Sequence, residues 1–170
     1  MNLREAILAE HSKANCTKIV NWIGSNQQRF DELVKLFLHD EYIVVQRAGW
    51  PLSDVVMKHP LLAHKHLGEI LAYVTKPELH DAVKRNTVRI LQVVTISKKL
   101  HGTVMNLCFD YLIDPAEKIA VKAFSLTVLQ NLSKLYPEIK QELKTIIEDR
   151  WEFETAAFHS RAKKILKEIG

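Results

Sequence analysis

The residues best suited to chemistry are histidines and cysteines, and their spacing does not match a catalytic or metal site. His64 and His66 flank Lys65, and on a helix two rings at this spacing point about 200° apart, so they cannot share a metal ion from one face. Cys108 follows His101 by seven residues in an apolar helical pattern, which indicates a buried thiol rather than a nucleophile. The sequence contains no HExxH, P-loop or GxGxxG motif. We therefore predict no catalytic residue, no metal ligand and no cofactor.

A further cluster is acidic and surrounds a tryptophan. Glu148, Asp149, Glu152 and Glu154 lie around Trp151. Carboxylate oxygens at this density could bind a cation, but the favoured interpretation is a solvated turn between two helices. Trp151 is then a packing residue at a helix end.

The composition limits the fold classes that could carry a site. The chain has 170 residues, 47% of them hydrophobic and 26% charged, which is typical of a soluble domain or a short repeat array. Only 5 glycines and 5 prolines occur, too few for the turns of sandwiches, barrels or glycine-lined nucleotide folds. No stretch approaches the roughly 20 apolar residues that span a bilayer, and Cys16 and Cys108 lie 92 residues apart. We expect free thiols, a cytoplasmic location and no membrane contact.

The elements that must position any site are helices. Apolar residues recur every three or four positions, as in Phe30, Leu33, Val34, Phe37 and Leu38, and strict alternation is nowhere sustained. Breakers such as Gly24-Ser25, His59-Pro60, Lys76-Pro77 and Asp114-Pro115 separate these patterns. The sequence therefore predicts an all-α protein.

An internal repeat runs through these helices. A nine-residue block ends at Leu52, Leu91, Leu129 and Leu166, which are 39, 38 and 37 residues apart. Each block begins with a large apolar residue and has a small residue in its fifth position. The large residues are Val44, Val83, Val121 and Phe158, and the small ones are Ala48, Thr87, Ser125 and Ala162. A small residue one turn from a large one lets a neighbouring helix approach closely.

These blocks carry a family resemblance over about residues 26 to 170. An acidic or proline-marked start, such as Asp40-Glu41 or Asp114-Pro115, followed by V-x-x-x-A/S/T-x-x-x-L, resembles the HEAT repeats of the armadillo-like superhelix. The chain is also similar to small bacterial HEAT-like proteins, some of which carry the name adenylosuccinate lyase. The Ser- and Gly-rich catalytic loop of that lyase family is absent from this chain.

The resemblance implies a right-handed α-α superhelix of about four helix pairs forming a single domain. We predict repeats at residues 26 to 58, 60 to 99, 100 to 134 and 135 to 170. Residues 1 to 25 form a helical cap in which Leu3, Ile7, Ile19 and Ile23 cover the open end of the first repeat. Pro51 removes a backbone donor from the second helix of the first repeat, so we expect a kink near Gly49.

The charges divide between the two helices of each pair. The second helices hold 14 Lys and Arg against 6 Asp and Glu, a net charge of +8, whereas the first helices hold 7 against 10, a net charge of −3. By resemblance to HEAT arrays, second helices line the concave surface. A basic concave surface concentrates positive potential on a polyanion.

Helical phase then selects individual residues. The third, seventh and tenth positions of each block are predicted to face outward, and the second position forms a flanking row. The predicted binding residues are Trp50, Lys84, Arg85, Arg89, Lys122, Lys164 and Lys167. Ser53 occupies a tenth position and is also predicted to face outward. An exposed tryptophan beside arginines is a pairing that single-stranded nucleic acid uses, although Trp50 beside a kink is more often a packing residue.

Three functional interpretations follow. The basic residues could serve solubility alone, or hold an acidic protein segment, or bind nucleic acid as HEAT-like DNA alkylation repeat proteins do. A glycosylase of that type needs a carboxylate in the basic groove, and Asp54 and Glu78 are the nearest ones in the sequence. The predicted helical phase of these two residues does not direct their carboxylates well into the groove. We therefore predict a non-enzymatic binding module for an acidic protein segment, with a nucleic-acid-binding protein, with or without glycosylase activity, as the alternative.

Overall fold

A computed structural model describes residues 1–170 and contains ten α-helices, three short 3₁₀ helices and no strand. The all-α fold predicted from the periodicity is therefore confirmed. The helices are α1 (Leu3–Ala9), α2 (Lys13–Ile23), α3 (Gln27–His39), α4 (Tyr42–Lys58), α5 (Leu67–Val74), α6 (Asp81–Leu91), α7 (His101–Ile113), α8 (Ile119–Ser133), α9 (Ile139–Arg150) and α10 (Ala156–Ile169). The 3₁₀ helices are Pro60–His66, Lys98–Leu100 and Trp151–Phe153.

Short polar side chains fix where several helices begin. Asn2, Ser12, Asn26 and Thr155 each accept a hydrogen bond from the backbone N–H three residues later, which satisfies a donor that the first turn leaves free. Gly24 ends α2 with a positive φ of 52°, a conformation that glycine adopts without strain. The local sequence therefore sets these boundaries before any tertiary packing.

The chain forms two compact units, Met1–Ile96 and Ser97–Gly170. In the first unit, α4 is central and packs against α1, α2, α3 and α6. Its block residues Val44, Ala48 and Leu52 are fully buried. The four apolar residues predicted to cover the first repeat, Leu3, Ile7, Ile19 and Ile23, are all at most 2% exposed. Helices α1 and α2 thus cover one side of α4.

In the second unit, α8 is central and packs against α7 and α10. The corresponding block residues Val121, Ser125 and Leu129 have no exposed surface, and the Ser125 hydroxyl donates to the Val121 carbonyl at 2.8 Å. Cys108 on α7 is also fully buried. Burial raises the pKa of its thiol to about 12, although a hydrogen bond with Ser125 acts in the opposite direction.

Helix α4 continues through Pro51 to Lys58 without ending at the proline. Pro51 has no N–H to donate to the carbonyl of Arg47, so one hydrogen bond of the helical ladder is missing. Two residues earlier, Gly49 lies against α6: a Cβ atom at this position would lie 2.9 Å from Nδ2 of Asn86. The missing side chain at Gly49 is therefore what allows α4 and α6 to approach here.

The carboxylate of Asp31 on α3 ties this helix to the 3₁₀ helix that precedes α5. It accepts hydrogen bonds from Lys65 Nζ at 2.6 Å, His66 Nε2 at 2.6 Å and Gln27 Nε2 at 2.8 Å. Partial burial opposes its negative charge, but these hydrogen bonds outweigh that effect and lower the pKa of Asp31 to about 2.

This lowered pKa predicts an acid-sensitive contribution to stability. The unfolded-state pKa of an aspartate is about 3.9, so the contribution of Asp31 is complete above about pH 4 and is lost as the pH falls towards about 2. We expect Asp31→Asn to lower the free energy of unfolding by a constant amount near neutral pH, and this difference from the wild type to shrink between pH 4 and pH 2. Urea unfolding at a series of pH values measures it. A difference that stays constant down to pH 2 would contradict the prediction.

Candidate binding surface

The predicted binding residue Arg89 does not face solvent freely. Its Nη1 donates to Ser53 Oγ at 2.7 Å and to Asp54 Oδ1 at 2.6 Å, which joins α6 to α4. The Ser53 side chain is fully buried and its hydroxyl also lies 3.0 Å from Asn86 Oδ1. The prediction that Ser53 and Arg89 both face outward is therefore wrong, because the two side chains satisfy each other between neighbouring helices.

Asp54, one of the two carboxylates considered for a glycosylase, is already engaged in this cluster. Its Oδ1 pairs with Arg89, and its Oδ2 lies 3.7 Å from Sγ of Cys16 on α2. Burial of Cys16, reinforced by the Asp54 charge, raises the pKa of this thiol to about 12. The thiol is therefore protonated at neutral pH and acts as a weak donor to the carboxylate. Both groups serve the packing of α2, α4 and α6.

A comparison of two arginines on α6 tests this distinction between structural and surface cations. Arg89→Gln is expected to lower the free energy of unfolding by about 1–2 kcal/mol, because it breaks charge-assisted hydrogen bonds in a partly buried cluster. Arg85→Gln removes the same charge from an exposed position and should change stability by less than about 0.5 kcal/mol. Chemical denaturation measures both variants, and equal effects would argue against a structural role for Arg89.

Lys122 on α8 was predicted to lie in the flanking row of the basic surface, and this prediction is also wrong. Its side chain is 3% exposed, and its Nζ donates to Glu154 Oε1 at 2.7 Å. Arg150 donates to the same oxygen through Nε at 3.0 Å and Nη2 at 2.9 Å. The Glu154 carboxylate, only 6% exposed, thus holds α8 against the turn between α9 and α10. Glu154 is a structural residue of the acidic cluster, whereas Glu148, Asp149 and Glu152 are exposed.

The three tryptophans contact neighbouring side chains. Trp50 is half-buried, and its ring meets the edge of His11 with centroids 5.7 Å apart. Trp22 lies under the guanidinium of Arg29, 4.5 Å from the ring centroid. Trp151 stacks on His159 at 4.2 Å with an interplanar angle of 12°. Trp50 is thus engaged with the segment between α1 and α2, which reduces the ring surface open to a stacking base.

The remaining predicted cations fall into one group in each unit. On α6, Arg85 is exposed and Lys84 is half-buried. On α10, Lys164 and Lys167 are both exposed. The structure adds Lys163, which the predicted helical phase did not select. Lys163 is exposed and lies four residues before Lys167 on the same face. The helical spacing of three lysines in five residues was the available signal for this residue.

The other two charged side chains of α10, Arg161 and Glu168, both contact α8. The only acid on the helix, Glu168, accepts a hydrogen bond from Gln130 Nε2. Arg161 turns towards α8, where its Nη1 donates to the Ala123 carbonyl at 2.8 Å and to Thr127 Oγ1 at 3.1 Å. Lys167 lies in the last turn, where the negative end of the helix dipole favours a cation. We define the lysine face as Lys163, Lys164 and Lys167.

No group of three or more His, Cys, Asp and Glu side chains is arranged to hold a metal ion. No helix combines the length and the apolar composition that crossing a bilayer requires. Successive helix pairs in which the large first and the small fifth residue of each block are buried define a helical repeat protein.

A family model of the HEAT repeat domain matches residues 3–169, so the chain belongs to the HEAT repeat domain family. The resemblance predicted from the repeated block is thereby confirmed, and the match includes the residues predicted as a cap. Comparisons with curated proteins and with solved structures gave no significant match. No comparison supports a link to proteins named adenylosuccinate lyase.

Proposed function

We propose that the protein is a non-enzymatic binding module that holds an acidic protein segment on the lysine face of α10. The observation that carries this proposal is the exposure of Lys163, Lys164 and Lys167 on one helix that holds a single acid, Glu168, which is hydrogen-bonded to Gln130. Like charges this close attract an anionic partner more strongly than isolated charges do. Arg85 and Lys84 on α6 provide a smaller basic group on the other unit.

An acidic peptide fits these residues better than nucleic acid does. The nucleic-acid interpretation needs an aromatic platform beside several phosphate-binding cations. Trp50 is half-buried against His11, while Arg89 and Lys122 are tied to Asp54 and Glu154. A flexible acidic segment needs only surface charges at helical spacing, which the lysine face supplies.

We further infer that the repeats are the four pairs α3–α4, α5–α6, α7–α8 and α9–α10, preceded by a cap of α1 and α2. Each pair lies within one of the ranges 26 to 58, 60 to 99, 100 to 134 and 135 to 170. Cytoplasmic proteins meet many acidic segments, so a cytoplasmic location is part of the same proposal.

Charge reversal on the lysine face tests the proposed function. We expect Lys164→Glu/Lys167→Glu to weaken binding of a fluorescein-labelled Glu/Asp-rich peptide by about tenfold or more, because two attractions become repulsions. The control, Lys13→Glu/Lys18→Glu, makes the same change in net charge at two exposed lysines of α2 and should bind like the wild type. Fluorescence anisotropy at low and at physiological salt measures the affinities.

Two results would overturn the proposal. Equal weakening by both double variants would show that net charge alone drives binding. Mixed-sequence single-stranded DNA or RNA that binds more tightly than the peptide at physiological salt would favour the nucleic-acid alternative, with a salt dependence that reports the number of phosphate contacts.

A further inference from the structure

A pocket of the first unit has a chemistry opposite to that of the lysine face. It lies where α4 begins, where α5 ends and beside the turn before α6, and its volume is about 190 Å³. Its rings belong to Tyr42, Tyr73 and His80, and its carboxylates to Asp40 and Glu78. The remaining lining residues are aliphatic. No cationic lysine or arginine side chain therefore lines the pocket itself.

The two carboxylates are in different situations. Asp40 accepts hydrogen bonds from Arg4 Nε and Nη2 at 3.0 to 3.2 Å, and this interaction holds the pKa of Asp40 below its usual range. Arg4 also pairs with Glu41, so its one positive charge is shared between the carboxylates of Asp40 and Glu41. Glu78 is exposed and belongs to none of the ion pairs of the first unit, so its negative charge remains available to a ligand.

The helix starts beside the pocket do not offer an anion site. The Glu41 N–H at the start of α4 donates to Asp40 Oδ1 at 2.7 Å. At the start of α6, the Ala82 N–H donates to His80 Nδ1 at 3.0 Å, and the Val83 N–H donates to the His80 carbonyl at 2.8 Å. These backbone donors are already satisfied within the chain.

The aromatic rings are arranged to receive a cation. Tyr42 is 62% exposed and lines the pocket, and its ring makes a T-shaped contact with the His80 ring, with centroids 5.7 Å apart. Tyr73 forms another wall, and burial raises the pKa of its hydroxyl above the usual range. Lys76, on the turn before α6, already places its Nζ 5.0 Å from the centroid of the Tyr73 ring. The Tyr73 ring thus already receives a cation–π contact from Lys76, which does not itself line the pocket.

We propose that this pocket binds an alkylammonium group of the size of a lysine or methylated lysine side-chain end, and that Lys76 competes with the ligand for Tyr73. The Tyr42 and Tyr73 rings attract the cation through their faces, and Glu78 supplies the opposite charge. The aliphatic residues contact the alkyl chain. This proposal is independent of the lysine face, because it concerns another unit and a ligand of opposite charge.

The test uses three capped amino acids as probes: acetyl-trimethyllysine methylamide, acetyl-lysine methylamide and acetyl-norleucine methylamide. The first two are cations, and the third is a neutral analogue of similar length. Ligand-observed NMR titration of the full-length protein measures each affinity. We expect both cations to bind and the norleucine probe to bind at least about tenfold more weakly, because it makes neither the cation–π contact nor the ion pair.

Variants assign the binding to the pocket. Tyr42→Ala should weaken binding of the trimethyllysine probe by about three- to fivefold, whereas Tyr42→Phe keeps the ring and should bind like the wild type. Glu78→Gln should also weaken binding. Lys76→Gln should strengthen it, because the competing ammonium is gone. The matched control Lys18→Gln removes an exposed lysine of α2 and should have no effect.

The increase in affinity on removing Lys76 is the decisive result, since damage to the fold cannot produce it. Equal binding of the norleucine probe would show an apolar pocket without cation selectivity and would overturn the proposal. Failure of both cations to bind would also overturn it. Equal strengthening by Lys76→Gln and Lys18→Gln would show a general charge effect and refute competition at Tyr73. The lysine-face experiment is unaffected by any of these outcomes.

Discussion

Replacing Glu154 by alanine is expected to lower the free energy of unfolding by about 3–5 kcal/mol, because the change leaves a buried ammonium without its counter-charge. Lys122 is 3% exposed and has its hydrogen bond to Glu154 Oε1, the atom that also accepts from Arg150. Water cannot replace the lost partner at such a buried position. Urea unfolding followed by circular dichroism measures the loss.

Two further variants separate the ion pair from a general effect of charge. Glu152→Ala removes an exposed acid two residues away and should change stability by less than about 0.5 kcal/mol. Lys122→Met/Glu154→Met replaces both charges by apolar side chains and should recover most of the loss, as buried pairs often permit. If Glu152→Ala and Glu154→Ala destabilise equally, the buried pair is not what holds this turn.

Gly49→Ala is expected to lower the free energy of unfolding by about 2–3 kcal/mol, although alanine is the better helix former by about 1 kcal/mol. The new Cβ would lie 2.9 Å from Asn86 Nδ2. Asn86 cannot move aside cheaply, because its Nδ2 donates to the Ala82 carbonyl at 2.8 Å and its Oδ1 lies 3.0 Å from the Ser53 hydroxyl. Displacing it breaks hydrogen bonds at a site that is 4% exposed.

Gly68→Ala is the matched control, because a Cβ at Gly68 on α5 would meet no atom within 4 Å. This variant should gain about 0.5–1 kcal/mol from the lower flexibility of the unfolded chain and the higher helix propensity. Thermal and urea denaturation of the two variants should therefore shift in opposite directions. A stabilising Gly49→Ala would refute the close approach of α4 and α6.

The fold could be predicted from the sequence because its signal is repeated and local. The three-and-four spacing of apolar residues defines helices whatever their partners are. The large–small–leucine block recurs four times, and its first and fifth positions are buried in all four helices. If one copy of the block is misassigned, the other three copies still give the correct helical positions. Side chains that cap helices, such as Asn26 and Thr155, act within three residues and are equally visible in the sequence.

The exposure of a candidate binding residue could be predicted only where its side chain contacts solvent and no other side chain. Lys164 and Lys167 are exposed as the helical phase predicts. Arg89 and Lys122 are not, because each meets one carboxylate from a distant segment: Asp54 is 35 residues away and Glu154 is 32 residues away. Periodicity describes the direction in which a side chain leaves its helix and carries no information about which neighbour lies there. A long cation near the core boundary can turn towards such a partner.

The alkylammonium pocket had no sequence signal for a similar reason. Tyr42 lies on α4, Tyr73 on α5 and Glu78 in the turn before α6, and their spacing in the sequence matches no motif. Only the packing of α4, α5 and α6 brings them together. In the sequence, Glu78 is a candidate only for a catalytic acid, and its place beside aromatic rings depends on the folded chain.

The two buried thiols can report local unfolding in each of the two units. Cys16 belongs to the first unit and Cys108 to the second, and burial raises the pKa of each thiol to about 12. Each thiol must therefore become exposed before it can lose its proton to water and react with an alkylating reagent. Alkylation rates measured by mass spectrometry on the peptides that carry them therefore give two opening free energies from one native sample. Glu154→Ala should accelerate labelling of Cys108, and Gly49→Ala that of Cys16, which would show directly how far a disturbance in one unit is felt in the other.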